Sequence, residues 1–470
     1  MGHAQRVVLG AVVVCAACGD NIEEPFVALV RVSGETPFPA ACGGPQTDGR
    51  PFPSVEVEPS LAIDPTNPQH LIGAWQQDRW TSGGANGIGV AASFDGGATW
   101  TTTTPRLDAC SGGDDAYTRA TDPWLTFAVD GTAYLFVLVF DSASPRNAMV
   151  STRSNDGGLT WHDPEIVRFD NDADVFNDKN SITADPVDPG RVYAVWDRLT
   201  GLNYPDLPVS HGPTWFARTT DGVWETARPI YDPGADAQTI ANGIAVLPDG
   251  TLVDVFDLIT GTSTTTPRSA VAVIRSSDKG QTWSDATIIA TMHGQGVQDP
   301  YNHVYIRSGT DLPQIAVDHA SGALYVVWQD HLAANGVDGA VIASSVDGGV
   351  TWTPPRQVNG TRDAAFTPNV AVSADGTVGV MYYDLRNVRR SDADSFRVTP
   401  WLATSHDGGM IWADEVLSEP FDLRPALLQN AYFLGDYQAM AVAGDVFVPF
   451  FVGANRDDDD KTDVYVRTAK

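Results

Sequence analysis

Carboxylates and arginines recur in this sequence beside short apolar segments, where they could act together on a ligand. Paired carboxylates can serve as general acid and base, and an arginine fork can hold an anionic group through two hydrogen bonds. The acidic candidates stand near the start of apolar segments: Glu58, Asp122, Asp178, Asp311 and Asp436. The arginine candidates follow apolar segments: Arg79, Arg198, Arg386 and Arg456. Because Asp is also common in turns, the pattern allows either a functional site or ordinary turn chemistry.

The composition favours a turn-rich protein with few helices. Only nine of the 59 acidic residues are Glu, and Asp favours turns whereas Glu favours helices. A chain of 470 residues that is 43% hydrophobic can bury a large core. The net charge of −30 repels nucleic acid and anionic membrane surfaces, so neither is an expected partner.

An eight-residue pattern repeats along the chain. Its copies are 93–100, 154–161, 276–283, 345–352 and 405–412, and a shortened copy covers 219–224. In each full copy Ser is followed by Asp, Gly and a final Trp. The Asp can accept backbone hydrogen bonds, the Gly supplies a positive φ, and the Trp can cover the turn. The pattern therefore predicts a repeated tight turn rather than a set of carbohydrate-binding tryptophans.

Around each copy the apolar residues alternate with period two, which predicts strands. In the first unit, strands A to D are predicted at 60–63, 71–75, 87–92 and 103–107, and the repeat forms the C–D turn. A four-stranded unit repeated radially is a β-propeller. We predict an all-β protein, a seven-bladed β-propeller of four-stranded antiparallel blades spanning residues 27–470, with six blades as the alternative. The segment 26–32 is expected to supply the outer strand of the last blade.

The octapeptide resembles the Asp box, and the array is similar to the sialidase-like (BNR-repeat) β-propeller superfamily. The resemblance covers roughly residues 50 to 470 and is specific for fold, whereas Asp-box propellers include enzymes, binding modules and assembly factors. It implies that the Asp boxes lie on one face of the propeller. The opposite face, where A strands begin and B strands end, would hold the active site.

The resemblance also implies residue roles. Sialidases bind the sugar carboxylate with three arginines, attack with a tyrosine activated by a glutamate, and use an aspartate as acid/base. On this basis Tyr437 is the expected nucleophile, Glu58 its partner and Asp122 the acid/base. The expected substrate-binding residues are Arg79, Arg198, Arg386, Arg456, Asp178 and Asp311.

Two departures from the family pattern affect the functional expectation. Glu58 stands in Val57-Glu58-Pro59, where the family has Arg-Ile-Pro, and no Glu occurs between Glu225 and Glu415. The expected function is an exported, sialidase-like glycoside hydrolase acting on acidic, sialic-acid-type glycans. The alternatives are other glycosidase or lyase chemistry, and a non-catalytic surface propeller that binds glycan or protein. A monomer is expected.

The first residues resemble an export signal. Arg6 precedes an apolar run from Val7 to Ala17, which is too short to span a bilayer but fits a secretory signal. The segment 14–18 resembles a bacterial lipobox, so residues 1–17 are predicted to be a lipoprotein-type signal peptide, Cys18 the lipidation site and 18–26 a tether. Ordinary signal cleavage is the alternative. Membrane attachment is expected only through the lipid.

Export leaves Cys42 and Cys110 as an even pair in an oxidising compartment, which predicts a disulfide. No metal site or other cofactor is expected. Two acidic stretches leave calcium open as an alternative: Asp170, Asp172 and Asp174 alternate like a calcium loop, and a run of Asp covers 457–460. Both are interpreted as solvated loops, since the later Gly and Glu of an EF-hand are absent from the first.

Overall fold

The computed structural model describes residues 29–470 except 41, 45–48, 115–116, 202–210, 265, 333–335, 390–394, 429, 457–459 and 468–470. The described residues contain 35 β-strands and a single-turn 3-10 helix, Arg424–Ala426, so the all-β prediction is confirmed. In this described part of the chain, no helix has the length and apolar character needed to cross a membrane. The predicted signal peptide, Cys18 and the tether lie outside the described residues.

In the described part of the chain, 28 of the 35 strands form seven antiparallel groups of four, and the strand β1 (Leu29–Arg31) belongs to the last of them. The first group is β2 (Glu56–Ile63), β3 (Leu71–Arg79), β4 (Ala85–Ser93) and β5 (Thr101–Thr103). The second is β6 (Arg119–Phe127), β7 (Ala133–Phe140), β8 (Arg146–Ser154) and β9 (Glu165–Asn171). The third is β10 (Val175–Ala184), β11 (Val192–Thr200), β13 (Thr214–Thr220) and β15 (Arg228–Tyr231). The two-residue strands β12 (His211–Gly212) and β14 (Val223–Trp224) lie between its members in the sequence.

The remaining groups follow the same order. The fourth is β16 (Ala237–Val246), β17 (Leu252–Thr260), β18 (Arg268–Ser276) and β19 (Thr287–Thr291), followed by the short strands β20 (Val297–Gln298) and β21 (Tyr305–Arg307). The fifth is β22 (Gln314–Val317), β23 (Leu324–Asp330), β24 (Gly339–Ser345) and β25 (Arg356–Gln357). The sixth is β26 (Ala365–Val372), β27 (Val378–Asp384), β28 (Arg397–Ser405) and β29 (Ala413–Val416), followed by β30 (Phe421–Asp422), β31 (Leu427–Leu428) and β32 (Ala431–Phe433). The seventh is β33 (Ala439–Ala443), β34 (Val446–Ala454) and β35 (Thr462–Arg467), completed by β1.

The first strands of the groups form a closed ring. They contact one another in the cyclic order β2, β6, β10, β16, β22, β26, β33 and back to β2. The N-terminal strand β1 pairs antiparallel with β35, with Leu29 opposite Arg467, so the last sheet combines both ends of the described chain. This pairing also covers an edge strand that would otherwise expose unpaired backbone groups.

The second strand of most groups is a nearly continuous apolar run because each sheet packs between two neighbouring sheets. Strand β7, with the sequence AYLFVLVF, is buried along almost its whole length. Its alternate residues pack in two different hydrophobic clusters, Leu135 with the first sheet and Phe136 with the third. A strand buried on both faces loses the polar alternation that a one-sided sheet would show.

The octapeptide copies form a repeated turn between the third and fourth strands of five groups. In each turn the Ser hydroxyl donates to the Asp Oδ1 over 2.7–2.9 Å. The backbone N–H four residues after the Asp also donates to Oδ1, over 2.9–3.0 Å. The Thr351 hydroxyl and backbone N–H lower the pKa of Asp347 to about 2. In the copy whose Thr is replaced by Ile411, the backbone bond is retained. The turn therefore depends on the carboxylate more than on the Thr.

The predicted disulfide is confirmed. Cys42 and Cys110 are bonded, with their Cα atoms 5.0 Å apart and a sequence separation of 68 residues. The bond ties the segment that precedes β2 to the loop that follows β5. Cross-links of this length stabilise mainly by restricting the unfolded chain.

Candidate functional site

Five of the ring strands share one irregularity. Each strand shifts register at a bulge, and a non-glycine residue in each bulge has a φ between 42° and 61°: Glu58, Asp122, Lys179, Ala241 and Thr367. The following residue is Pro or Asn in every case. Such left-handed residues cost about 1 kcal/mol or more each, and bulges of this kind re-aim side chains next to active sites. The bulges therefore redirect one side chain in each of these five strands of the ring.

Three of these residues meet a fourth side chain to form the central cluster, which comprises Glu58, Asp122, Lys179 and Asp436. Lys179 Nζ lies 3.1 Å from Asp122 Oδ1, 2.8 Å from Asp436 Oδ2 and 3.7 Å from Glu58 Oε1. All three carboxylates are buried. Burial lowers the pKa of Lys179, but the surrounding carboxylates outweigh it and hold that pKa well above its ordinary value. The lysine is therefore a fixed positive charge between three acids.

The pKa values of two acids in the central cluster are shifted in opposite directions. Burial raises the pKa of Glu58 to about 8, with Lys179 opposing the rise and Asp122 and Asp436 adding to it. Burial also disfavours ionisation of Asp436, but Lys179 and Arg307 together hold its pKa well below the ordinary value. Glu58 accepts hydrogen bonds from the Gln76 amide and from the Asp436 backbone N–H, the latter over 3.3 Å. At neutral pH Glu58 carries a proton while Asp436 is ionised.

Two arginines flank the cluster against the same aromatic ring. The guanidinium carbons of Arg307 and Arg79 lie 4.6 Å and 5.1 Å from the centroid of Phe433. Arg307 Nε donates to Asp436 Oδ1 over 2.8 Å. Arg79 Nη1 donates to Gln76 Oε1 over 2.7 Å, and no carboxylate of the described residues lies within salt-bridge distance of it. Arg79 is 6% exposed, so it is a buried cation that lacks a directly paired anion.

A cavity of about 800 Å³ opens onto these groups. Its wall includes Glu58, Arg79, Asp122, Lys179 and Arg307, and Phe140 and Phe176 line another part of it. The volume lies within the range of small-molecule sites, and a charged wall beside aromatic rings suits a sugar ring and its polar substituents. The arrangement can hold an anionic group at the arginines while a protonated acid and a carboxylate face the same space.

Tyr437 lies beside the cluster, but its environment opposes the nucleophilic role expected for it. Its hydroxyl is buried and has no hydrogen-bond partner among the described residues. Its ring lies 5.3 Å from that of Trp124. Burial, followed by the nearby carboxylates, raises the pKa of Tyr437 well above its ordinary value. It lines a separate cavity of about 150 Å³ that also borders Lys179.

The structure separates the other candidates. The Asp178 carboxylate lines the large cavity and accepts a 2.9 Å hydrogen bond from the Lys179 backbone, and burial raises its pKa to about 6. Arg198 pairs with Asp170 at 2.7 Å rather than with the central cluster. Asp311 is exposed and lines a cavity of about 390 Å³ beside His293.

The two remaining arginine candidates also lie apart from the central cluster's contacts. Arg386 pairs with Asp384 and Asp414 and stacks on Trp401, 3.7 Å from the ring centroid. Arg456 is exposed in the loop after β34. Of the four arginines expected to form a clamp, the structure brings Arg79 to the central cluster.

Two residues of the candidate site, Lys179 and Arg307, were not predicted from the sequence. Lys179 follows Asp178 and occupies the bulge position that Glu58 and Asp122 hold in their own strands, so a bulge-by-bulge alignment would have found it. Arg307 belongs to β21, in the connection between the fourth and fifth sheets, and reaches the site because β21 pairs in parallel with β32. No local sequence signal points to that pairing.

Comparisons with known proteins found one relative that matches part of the chain and several similar solved structures. No family model matches the sequence. A xyloglucanase from a Paenibacillus species is 28% identical over 219 residues, which cover 44% of this chain and 18% of that enzyme. The chain thus spans less than a fifth of that relative's length.

Similar solved structures include two kinds of carbohydrate-active enzyme. The Hadza microbial sialidase Hz136 is 16% identical with a TM-score of 0.47, over 82% of this chain and 74% of that chain. A Penicillium chrysogenum α-L-arabinanase complexed with arabinobiose is 12% identical with a TM-score of 0.49, over 94% and 98% of the two chains. The closed ring of antiparallel sheets described above is the feature of this chain that the expected propeller fold requires.

Proposed function

We propose that this chain is an exported glycoside hydrolase that cleaves acidic sugars in the cavity above the central cluster. The seven four-stranded groups and the shared hydrogen bonds of the octapeptide turns support a seven-bladed Asp-box propeller as its scaffold. The disulfide is consistent with an oxidising compartment, and lipidation of Cys18 and a monomeric state stay predictions. One observation carries the proposal: Glu58 and Asp122 contact one lysine from two strands and line one cavity.

The chemistry follows from the different environments of these two carboxyls. Glu58, protonated because burial raises its pKa to about 8, donates its proton to the glycosidic oxygen as the bond to the anomeric carbon breaks. Asp122, held by Lys179 and by a 3.1 Å hydrogen bond from the Thr121 hydroxyl, stabilises the oxocarbenium-like carbon by its negative charge. Water then adds to that carbon and gives its proton to Asp122, which acts as the general base. Their shared contact with Lys179 sets an upper limit of about 7 Å on the separation of the contacting oxygens, which is compatible with the spacing of about 5–5.5 Å in retaining glycosidases and with the short end of the range in inverting ones.

The preference for acidic sugars rests on Arg79. The nearly buried Arg79 guanidinium has no paired carboxylate among the described residues and leaves a positive charge facing the cavity. A sugar carboxylate would neutralise this charge and accept two parallel hydrogen bonds from the guanidinium. The half-exposed Arg307 adds a second cation beside it, although Asp436 neutralises part of that charge. These two residues take the place of the larger arginine clamp that the sequence suggested.

Replacing Arg79 by Gln is expected to raise KM for an acidic glycoside about 10- to 150-fold, since a charge-assisted hydrogen bond contributes about 1.5–3 kcal/mol. KM for a neutral glycoside should change less than about threefold, because the lost contact is to the carboxylate. The measurement is steady-state hydrolysis of fluorogenic sialoside, glucuronide and arabinofuranoside by the wild type, R79Q and the surface control R106Q. Equal losses on acidic and neutral sugars would contradict the assigned specificity.

Tyr437→Phe tests the nucleophilic tyrosine directly. Because its hydroxyl donates to no described group, we expect the variant to keep kcat within about threefold of the wild type. A loss of a hundredfold or more on the same substrates would restore Tyr437 as the nucleophile. Its unactivated environment also favours a second candidate function, a binding module. That function predicts glycan binding without turnover in both the wild type and Y437F.

A further inference from the structure

The seam between the first and last sheets contains a second acidic group, separate from the central cluster. One carboxylate oxygen each from Glu56, Asp460 and Asp463 lies within 4.8 Å of the other two. Glu56 begins β2, whereas Asp463 lies in β35, and the two strands meet where Thr462 bridges to Val55. The Thr462 hydroxyl also donates to the Glu56 backbone carbonyl over 2.8 Å. The group therefore lies where the ring of sheets closes.

Glu56 gives an independent indication of a missing partner. The residue has no exposed surface, and its Oε2 atom has no hydrogen-bond partner among the described residues. Its other oxygen accepts a 2.5 Å hydrogen bond from the Gln77 amide. The Ser33 hydroxyl interacts with Glu56 but donates its 2.9 Å hydrogen bond to Asp463. A buried carboxylate oxygen with no donor is costly unless a proton or a cation satisfies it.

Among the described residues, Arg31 is the cation that contacts this acidic group. Arg31 contacts Asp460 at 2.6 Å and Asp463 at 2.5 Å, but it supplies one positive charge against three carboxylates. Burial first, and then Asp463 and Asp460, raise the pKa of Glu56 well above its ordinary value. The acids thus repel one another in the absence of a further cation.

We propose that Glu56, Asp460 and Asp463 bind a divalent cation of the calcium type that locks the first sheet to the last. Hard cations prefer oxygen ligands, and ligand oxygens about 2.4 Å from one ion lie at most about 5 Å apart, which the observed spacing satisfies. The ion would take the unsatisfied Glu56 oxygen and neutralise the excess acid charge. It would stabilise ring closure and take no part in sugar hydrolysis.

Thermal unfolding of the full chain, stripped with EDTA and titrated with CaCl2, MgCl2 or MnCl2, tests the site. We expect saturating Ca2+ to raise the wild-type Tm by about 3 °C or more, since a ligand that binds only the folded state stabilises it. The variant Glu56→Gln should show no Ca2+-dependent shift. In EDTA its Tm should equal or exceed that of the wild type, because it removes a buried, repelled carboxyl. Direct Ca2+ binding by isothermal titration should show one site that is absent in E56Q.

The matched control is Asp174→Asn, which removes an exposed acid from the other acidic stretch. It should retain the wild-type shift. The proposal is overturned if none of the three cations shifts the wild-type Tm or binds, which would identify Glu56 as a protonated buried acid. It is equally overturned if E56Q keeps the shift or if D174N loses it. Because the readout is unfolding and binding, an inactive enzyme would not affect the result.

Discussion

Glu58→Gln is expected to lower kcat on glycosides with poor leaving groups about a thousandfold. Glutamine keeps the size of the side chain and can still meet the Gln76 amide, but it carries no acidic proton for the departing oxygen. Positioned general acids contribute 10²- to 10⁴-fold to such reactions. The measurement is kcat and KM for an alkyl glycoside of the preferred acidic sugar, with KM expected to change little.

Substrates with different leaving groups distinguish the loss of a general acid from general damage to the active site. An aryl glycoside with a strongly acidic phenol departs without protonation, so E58Q should lose less than about tenfold on it. The wild-type kcat/KM should fall as the pH rises through the Glu58 pKa of about 8, and this basic limb should disappear in the variant. A uniform thousandfold loss on both substrates, or an unchanged basic limb, would assign the proton to another group.

Stability provides the folding control for E58Q. The pKa of Glu58 is raised in the folded state, so its contribution to stability is full below the ordinary glutamate pKa and is lost as the pH rises towards about 8. Glutamine has no such titration. The variant should therefore unfold at or above the wild-type Tm at neutral pH, and a much lower Tm would show that the activity loss reflects damage to the fold.

The fold was largely predictable because its determinants are local and repeated. The turn at Asp95 uses a carboxylate and a backbone N–H four residues apart, so its sequence signature does not depend on distant contacts. The apolar run of β7 indicates a strand with sheets on both sides. Cys42 and Cys110 could be paired because the predicted export signal accounts for the other two cysteines.

The site was less predictable because it is assembled across the ring. Asp122 and Asp436 were recognisable as acids at strand starts, but the sequence does not show that one lysine contacts both. Arg198 and Arg386 were equally reasonable as clamp residues. Their side chains instead pair with Asp170 and with Asp384 and Asp414, away from the central cluster. The sequence does not show which of several acids each arginine will contact.

Replacing Lys179 by Met is expected to have the largest effect on folding. Nearly nine-tenths of the lysine side chain is buried, and methionine fills similar space without the charge that Glu58, Asp122 and Asp436 face. Removing one partner of a buried ion cluster leaves uncompensated charge and costs about 3–5 kcal/mol. Urea unfolding at pH 7 measures this loss. The control Arg106→Met breaks an exposed pair with Asp114 and should cost about 1 kcal/mol or less.

The pH dependence of K179M identifies electrostatics as the cause of the loss. The lysine pKa is raised in the folded state, so its stabilising contribution is fully present at neutral pH. Without it, the cluster carboxyls should have raised pKa values, so the variant loses stability as the pH rises and regains it towards about pH 4. The double variant K179M/D436N should recover part of the loss at pH 7, since it removes one of the opposed charges. A deficit that is equal at both pH values and unchanged by D436N would instead indicate lost packing.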